Sequence, residues 1–343
     1  MSNSVHDFDN NVLSEYLKLN IPDFEGPISS KKFSGGQSNP TFLLSTKSGQ
    51  YVLRRKPPGQ LLKSAHAVDR EYKVLVALEN SNVPLAKPFC LCEDDNIIGS
   101  MFYVMSYEDG RIFWDPALPE LTKENRKLFY NELIRTLAAI HSVDINKVGL
   151  GEYGKPGNYF KRQLSTWTKQ YRASETDRLE SVEMLINWLV DNMPENDDQV
   201  SLIHGDYRFD NVIFDHQQTD AIAVLDWELS TLGHPMADLA YFCMCLRLPA
   251  NSPVKGLAGL DLIELGLPTE EEIIDQYCQL RGIAKIEHWS FYLAFSFFRL
   301  AAIAQGVYKR SLDGNASSDQ AKEAGNFAGL LSQFAMQTIT EES

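Results

Sequence analysis

Asp206, Asn211 and Asp226 fall within one short passage of the chain, at intervals that suit a single reaction. An apolar entry, Ser201-Leu202-Ile203, leads into His204-Gly205-Asp206, and Asn211 follows five residues after Asp206. A short apolar run (212–214), a polar turn and a second run (221–225) then end at Asp226-Trp227-Glu228. Pairing the two runs as strands brings Asn211 and Asp226 into one pocket. Such a set fits metal-assisted phosphoryl transfer. One carboxylate accepts the proton of an attacking hydroxyl. An amide oxygen and a second carboxylate hold Mg²⁺ on nucleotide phosphates, because Mg²⁺ takes oxygen ligands and keeps some of its waters. One Asp or Asn in a polar loop is ordinary turn chemistry. Three of them at the ends of two adjacent strands are harder to explain that way.

The elements that must place these groups read as follows. Residues 1–30 are a polar lead-in with a short helix around 12–19. Residues 31–110 have a strand-like texture. A Gly-rich turn, Ser34-Gly35-Gly36-Gln37-Ser38-Asn39, separates two short β-type runs and reads as a hairpin whose N–H groups could cover phosphates. A third strand, 51–55, carries Arg54, and Pro57-Pro58-Gly59 ends it. Residues 65–79 form a helix with the stripe Val68, Tyr72, Leu75, Leu78, and Glu71 falls inside that stripe. A carboxylate on a buried face needs a partner, and Arg54 is the natural candidate. A later strand covers 101–105 before Glu108-Asp109-Gly110 breaks the pattern. From 111 onward helices dominate, at 121–143, 158–172, 178–192, 235–247, 269–281, 286–308 and 317–338.

Residues 204–226 also match the catalytic-loop template His-Arg-Asp-x-x-x-x-Asn followed by a metal-binding Asp. The whole order resembles the aminoglycoside phosphotransferase and choline kinase-like family. That order is Gly-rich hairpin, Val52-Leu53-Arg54 strand, Arg70-Glu71-Tyr72 helix, His204-Gly205-Asp206-x-x-x-x-Asn211 and Leu225-Asp226-Trp227-Glu228. The resemblance covers roughly 30–340. Segments 150–160 and 224–235 look like the subgroup found as stand-alone bacterial proteins and fused to some acyl-CoA dehydrogenases. It implies an α+β, two-lobed protein-kinase-like fold. A small β-rich N-lobe (31–110) would bind nucleotide, and a large, mainly helical C-lobe (111–343) would hold the catalytic loop, metal and acceptor. It implies ATP and Mg²⁺ as cofactors, Asp206 as catalytic base, and Asn211 and Asp226 as metal ligands. Glu71 would pair with the third-strand cation. Met105, Ser106, Tyr107 and Glu108 would form the hinge that receives adenine. Asp238 and His141 would be structural. The family often has Lys where this chain has Arg54, but Arg looks usual in the subgroup.

Composition bounds the rest. The chain has 343 residues, 44% hydrophobic and 23% charged, with a formal charge of −14, which argues against a broad nucleic-acid footprint. Residues 1–110 carry −2 and 111–343 carry −12. Five cysteines, two pairs of them as Cys-x-Cys, read as small buried hydrophobes in a reducing compartment. The start has neither a basic nor an apolar signal region, and the apolar stretch 291–304 is interrupted by Arg299 and too short for a bilayer. The expectation is a cytoplasmic protein without membrane or nucleic-acid partners. Gly149-x-Gly151-x-x-Gly154 mimics a phosphate loop, but no strand precedes it and Pro156 stands where Ser or Thr would bind Mg²⁺. Trp114, Trp167 and Trp227 read as core or pocket-wall residues.

The leading expectation is a kinase acting on a hydroxyl of a small molecule. The alternative is a pseudokinase or nucleotide-binding regulatory module on the same fold. A metal-dependent hydrolase using His204, Asp206, Asp226 and His234 is a third. For the acceptor, the acidic second part suits amines or aminoglycosides, whereas the subgroup suggests a hydroxylated acyl compound. Arg55, Lys56 and Lys63 could meet an anionic group of the latter. Tyr153, Tyr159, Arg162, Trp167, Arg208 and Glu228 are the candidate acceptor wall. The residues leave ATP and GTP open.

Overall fold

The computed structural model describes residues 8–33, 39–57, 67–195, 199–313 and 318–341. Its chain divides into two compact units. One comprises Met1–Phe113, Asp144–Leu150 and Asp210–Ser230; the other comprises Trp114–Val143, Gly151–Phe209 and Thr231–Ser343.

The first unit is built on a five-stranded antiparallel sheet in the order β1-β2-β3-β5-β4. Its strands are β1 (Ser29–Lys32), β2 (Thr41–Ser45), β3 (Gln50–Arg55), β4 (Pro88–Cys92) and β5 (Phe102–Ser106). β1 is the first run of the expected hairpin and pairs with β2, whereas β4 escaped sequence reading because it is short and begins at a proline. Side chains alternate across the sheet. Phe42, Leu44, Leu53, Phe102 and Val104 face one way and pack with Leu13 and Leu17 of α1 (Asn10–Asn20). Ile21, Phe24 and Ile28 join the same core, so the polar lead-in contributes apolar residues to the unit. The other face carries Arg54 and Tyr103, paired across β3 and β5. It meets α2 (Val68–Leu78), which buries Val68, Glu71, Val74, Leu75 and Leu78. A short helix, α3 (Asp95–Ile98), follows β4, and a hairpin of β7 (Val212–Phe214) and β8 (Ala221–Val224) completes the unit. Arg111 donates its amide to the Phe214 carbonyl at 2.7 Å. Gly110 permits that approach, since a Cβ there would collide with the same carbonyl and with Ile213.

The second unit is larger and mainly helical. It contains α4 (Lys123–His141), α5 (Tyr159–Ser174), α6 (Glu180–Asp191), α7 (Met236–Leu246), α8 (Leu262–Leu265), α9 (Glu270–Arg281), α10 (Trp289–Leu312) and α11 (Ser318–Glu341). Its one small ladder among the described residues pairs β6 (Ser201–Ile203) with β9 (Thr231–Gly233). α7 is buried over Met236–Cys245, and α10 packs on α5, α7 and α11. Thr269 and Glu272 form a reciprocal cap at the start of α9. At 24 residues α10 is longer than the expected apolar stretch. It is long and apolar enough to cross a bilayer by length and composition alone, yet 78% of its apolar window is buried inside the protein. The five cysteines are free and buried. Trp227 is buried, with its indole N–H donated to the Val224 carbonyl at 3.0 Å. Trp114 is 69% exposed and is neither core nor wall in this unit.

Candidate active site

In the first unit the chemistry gathers around Arg54. Its Nε lies 2.9 Å from Glu71 Oε2, and its Nη2 lies 2.5 Å from Asp226 Oδ1 and 3.5 Å from Glu228 Oε2. Tyr103 donates its hydroxyl to Glu71 at 3.0 Å, and Asn39 donates its amide to the other Glu71 oxygen at 2.9 Å. Asn39 also reaches Glu228 at 3.4 Å. One guanidinium therefore serves three carboxylates. Burial works against the Arg54 charge, but Glu71, Tyr103, Asp226 and Glu228 together hold its pKa above the ordinary value. Burial pushes the Glu71 carboxyl up to about 7, against the pull of Arg54 and the Tyr103 hydroxyl.

Asp226 and Asn211 sit at adjacent strand ends, as the sequence requires. Val212 pairs with Val224, and the Leu225 amide donates to the Asn211 carbonyl at 2.8 Å. Asp226 adopts a left-handed conformation (φ 62°), which Asp tolerates better than most residues. A 3-10 turn at Trp227–Leu229 follows.

The remaining nucleotide candidates distribute as follows. Ser34, Gly35, Gly36 and Ser38 lie outside the described residues, as does Lys63. Met105 and Ser106 belong to β5, and the Ser106 amide already donates to the Lys87 carbonyl at 2.9 Å. Tyr107 and Glu108 follow the end of that strand, and Ser106 Oγ contacts the Glu108 carboxylate. Arg55 corrects an expectation. Strand alternation turns it to the face opposite Arg54, where it is 2% exposed, donates to Ser100 Oγ at 2.8 Å and lies against the Phe8 ring. It is a core residue there, and no anion-binding surface.

In the second unit Asp206 follows β6. The loop is fixed by Asp238 at the start of α7, which accepts the His204 amide at 2.6 Å and the Gly205 amide at 2.8 Å. Gly205 has φ 87°, where a side chain would be strained. The Asp206 amide donates to His204 Nδ1 at 3.2 Å, and Arg208 Nε stands 3.6 Å from Asp206 Oδ1. His141 bridges Asp238 (3.3 Å from Nε2) and the Tyr277 hydroxyl (2.6 Å from Nδ1). A neutral ring with its proton on Nε2 satisfies both. Burial lowers the His141 pKa, with Asp238 opposing. Burial alone would raise Asp238, but hydrogen bonds from His141 and the His204 amide help to lower it.

His204 and His234 are buried at 0% and 1% exposure. His204 Nδ1 accepts the Asp206 amide, and His234 Nδ1 accepts the Met236 amide while its ring stacks on Tyr292. Each ring thus uses Nδ1 to support its own backbone.

The candidate acceptor residues divide. Tyr153 and Tyr159 are buried, and the Tyr159 ring fills space that Gly233 leaves open. Arg162 donates to the Lys155 carbonyl at 2.5 Å and to the Gly157 carbonyl, so it ties its own loop. Trp167 lies under Arg299. Arg208 accompanies Asp206, whereas Glu228 belongs to the Arg54 cluster of the first unit. Sequence reasoning missed Tyr103 and the Asn39 contact with Glu71. A polar end on an otherwise apolar strand was the available signal for Tyr103.

A β-sheet unit carrying a strand–helix ion pair beside an Asn/Asp strand-end pair, with a helical unit carrying a His-Gly-Asp loop, defines the kinase-like class of small-molecule phosphotransferases. The model for the phosphotransferase enzyme family (APH) matches residues 29–262, and the chain belongs to that family. It is 46% identical over 333 residues to mouse acyl-CoA dehydrogenase family member 10, covering 96% of this chain and 31% of that protein. It likewise spans less than half the length of the family member 11 relatives it matches. A solved structure from Ralstonia eutropha, described as a candidate aminoglycoside phosphotransferase, is 44% identical with a TM-score of 0.90, over 98% of this chain and 99% of that one. A thermostable mutant of aminoglycoside phosphotransferase APH(4)-Ia, in ternary complex with AMP-PNP and hygromycin B, shares the fold. Its TM-score is 0.63 at 14% identity, over 95% of this chain and 98% of that one.

Proposed function

We propose that the protein moves the γ-phosphoryl group of ATP, as its Mg²⁺ complex, to a hydroxyl of a small molecule. The observation that carries this reading is the Arg54 cluster, in which one buried cation is held by Glu71 and aimed at Asp226. Arg54 so held would orient the nucleotide phosphates. Asn211 and Asp226 suit Mg²⁺: both offer oxygen donors, the Leu225 amide before Asp226 is tied to the Asn211 carbonyl, and Asp226 is 33% exposed. When bound there, Mg²⁺ would neutralise phosphate charge during transfer. Asp206 would accept or orient the hydroxyl proton, and the Asp238 clamp would keep its loop in place. Catalysis of this kind rests mainly on positioning and electrostatics. The nucleotide analogue bound by APH(4)-Ia supports ATP as donor. The acyl-CoA dehydrogenase relatives support a hydroxylated acyl compound as acceptor.

A thermal-shift and turnover screen tests the reading. ATP and GTP with Mg²⁺ come first, then hydroxyacyl-CoAs, amines, sugars and aminoglycosides. Stabilisation that needs both nucleotide and Mg²⁺, with ADP formed in the presence of one acceptor class, is the expected result. Asp206→Ala should keep nucleotide binding and lose turnover by about 10²–10⁴-fold. Full turnover in that variant rejects the assignment. Folded protein that ignores nucleotide favours a regulatory module instead.

A further inference from the structure

Arg299 is the one charged residue in the apolar stretch 291–304. On α10 it is buried, with 9% exposure. Among the described residues no carboxylate pairs with it. Its Nη2 instead donates to the Gly205 carbonyl at 2.7 Å. Its guanidinium lies over the rings of Tyr241 (5.3 Å) and Trp167 (5.8 Å). A buried guanidinium without a counter-ion is costly, and one carbonyl with two aromatic faces is the compensation available here. Leu or Met at this position would continue the helix's apolar face at no such cost, so the cation has a task.

The task follows from what it holds. The Gly205 peptide group carries the chain into Asp206. On its amide side Gly205 is gripped by Asp238 Oδ1. On its carbonyl side the only side chain gripping it among the described residues is Arg299. We propose that Arg299 is a positioning residue for the phosphoryl transfer, a clamp from α10 that fixes the Gly205–Asp206 peptide and thereby the direction of the Asp206 carboxylate. The inference rests on the reading of Asp206 as the base. Trp167 becomes the platform of the clamp, rather than an acceptor contact. A loop fixed at one end only would let the carboxylate drift, and a misplacement near 1 Å costs a reaction of this kind about 10²-fold.

The test compares Arg299→Met, Arg299→Gln and Arg299→Lys in the full chain, with Mg·ATP hydrolysis as the activity and amide hydrogen exchange as the structural readout. In Arg299→Met, kcat should fall by about 10²-fold with KM for ATP unchanged. Exchange at residues 204–206 should rise while α10 stays protected. Arg299→Lys keeps a cation and one donor and should recover much of kcat; Arg299→Gln, a neutral donor, should fall between. If the Met variant does not fold, the Gln–Lys comparison decides. Wild-type kcat in a folded Met or Gln variant overturns the inference, as does a loss that Lys does not relieve with exchange at 204–206 unchanged. Asp206→Asn run in parallel separates the two readings. If it stays fully active, the base assignment and the catalytic part of this inference both fail. The exchange data would still report whether the clamp exists.

Discussion

Arg54 Nη2 meets Asp226 Oδ1 at 2.5 Å, although 172 positions separate the two residues in the chain. The contact joins the central sheet of the first unit to the strand end that follows β8. Because Arg54 also holds Glu71, a change at Arg54 acts on Asp226 and on a buried carboxylate together.

Arg54→Ala should therefore be destabilising as well as inactive. Glu71 is 1% exposed, and stripping a buried ion pair of one partner costs about 3–5 kcal/mol. Arg54→Lys keeps the charge but cannot reach Glu71 and Asp226 with separate nitrogens of one rigid fork. It should fold and bind Mg·ATP about 10-fold more weakly. Urea unfolding and calorimetric titration check the two effects separately.

Asp226→Asn should keep the fold, because Asn tolerates the left-handed backbone that position adopts. Nucleotide affinity should then no longer depend on Mg²⁺. Titrations of ATP with and without Mg²⁺ give the answer, and an unchanged Mg²⁺ dependence removes Asp226 from the ligand set.

Asp238→Ala should unfold at lower urea concentration. Two buried amides, of His204 and Gly205, lose their acceptor, and leaving buried donors unsatisfied costs roughly 1–3 kcal/mol each. Asp238→Asn retains one acceptor oxygen and should lose less.

The same cluster sets a pH dependence. His141 is held below the ordinary imidazole value of 6.5, so between that value and its folded pKa the unfolded chain takes up a proton that the folded chain refuses. Its contribution to stability is full above about 6.5 and falls as the pH drops below it. Asp238, held below 3.8, contributes above that value, and this contribution is lost as the pH falls further through its folded pKa. Glu71 acts the other way, since a carboxyl raised to about 7 lets the folded chain take up a proton first and adds stability as the pH falls from about 7. The His141 part is therefore read as the difference in unfolding free energy between the wild type and His141→Gln from pH 8 to pH 4, which should change below about 6.5. A difference that stays constant over that range assigns the pH dependence to other groups.

The sequence alone determined the placement of Asn211 and Asp226 at adjacent strand ends and of Asp206 in the loop after β6, because that placement depends on local spacing across short strands and a loop. It also determined the Arg54–Glu71 pair, since a carboxylate on the apolar stripe of a helix must find a cation. The tertiary structure decided what depends on which way a side chain turns once elements pack. Strand alternation sent Arg55 into the α1 core, although Arg54 beside it faces Glu71. Close packing around Gly233 buried Tyr159, which the sequence placed at the acceptor wall. Arg299 looked like an interruption of an apolar helix until α10 was seen to lie beside the loop of Gly205. In each case the deciding quantity is distance between groups far apart in sequence, and only the folded chain sets that distance.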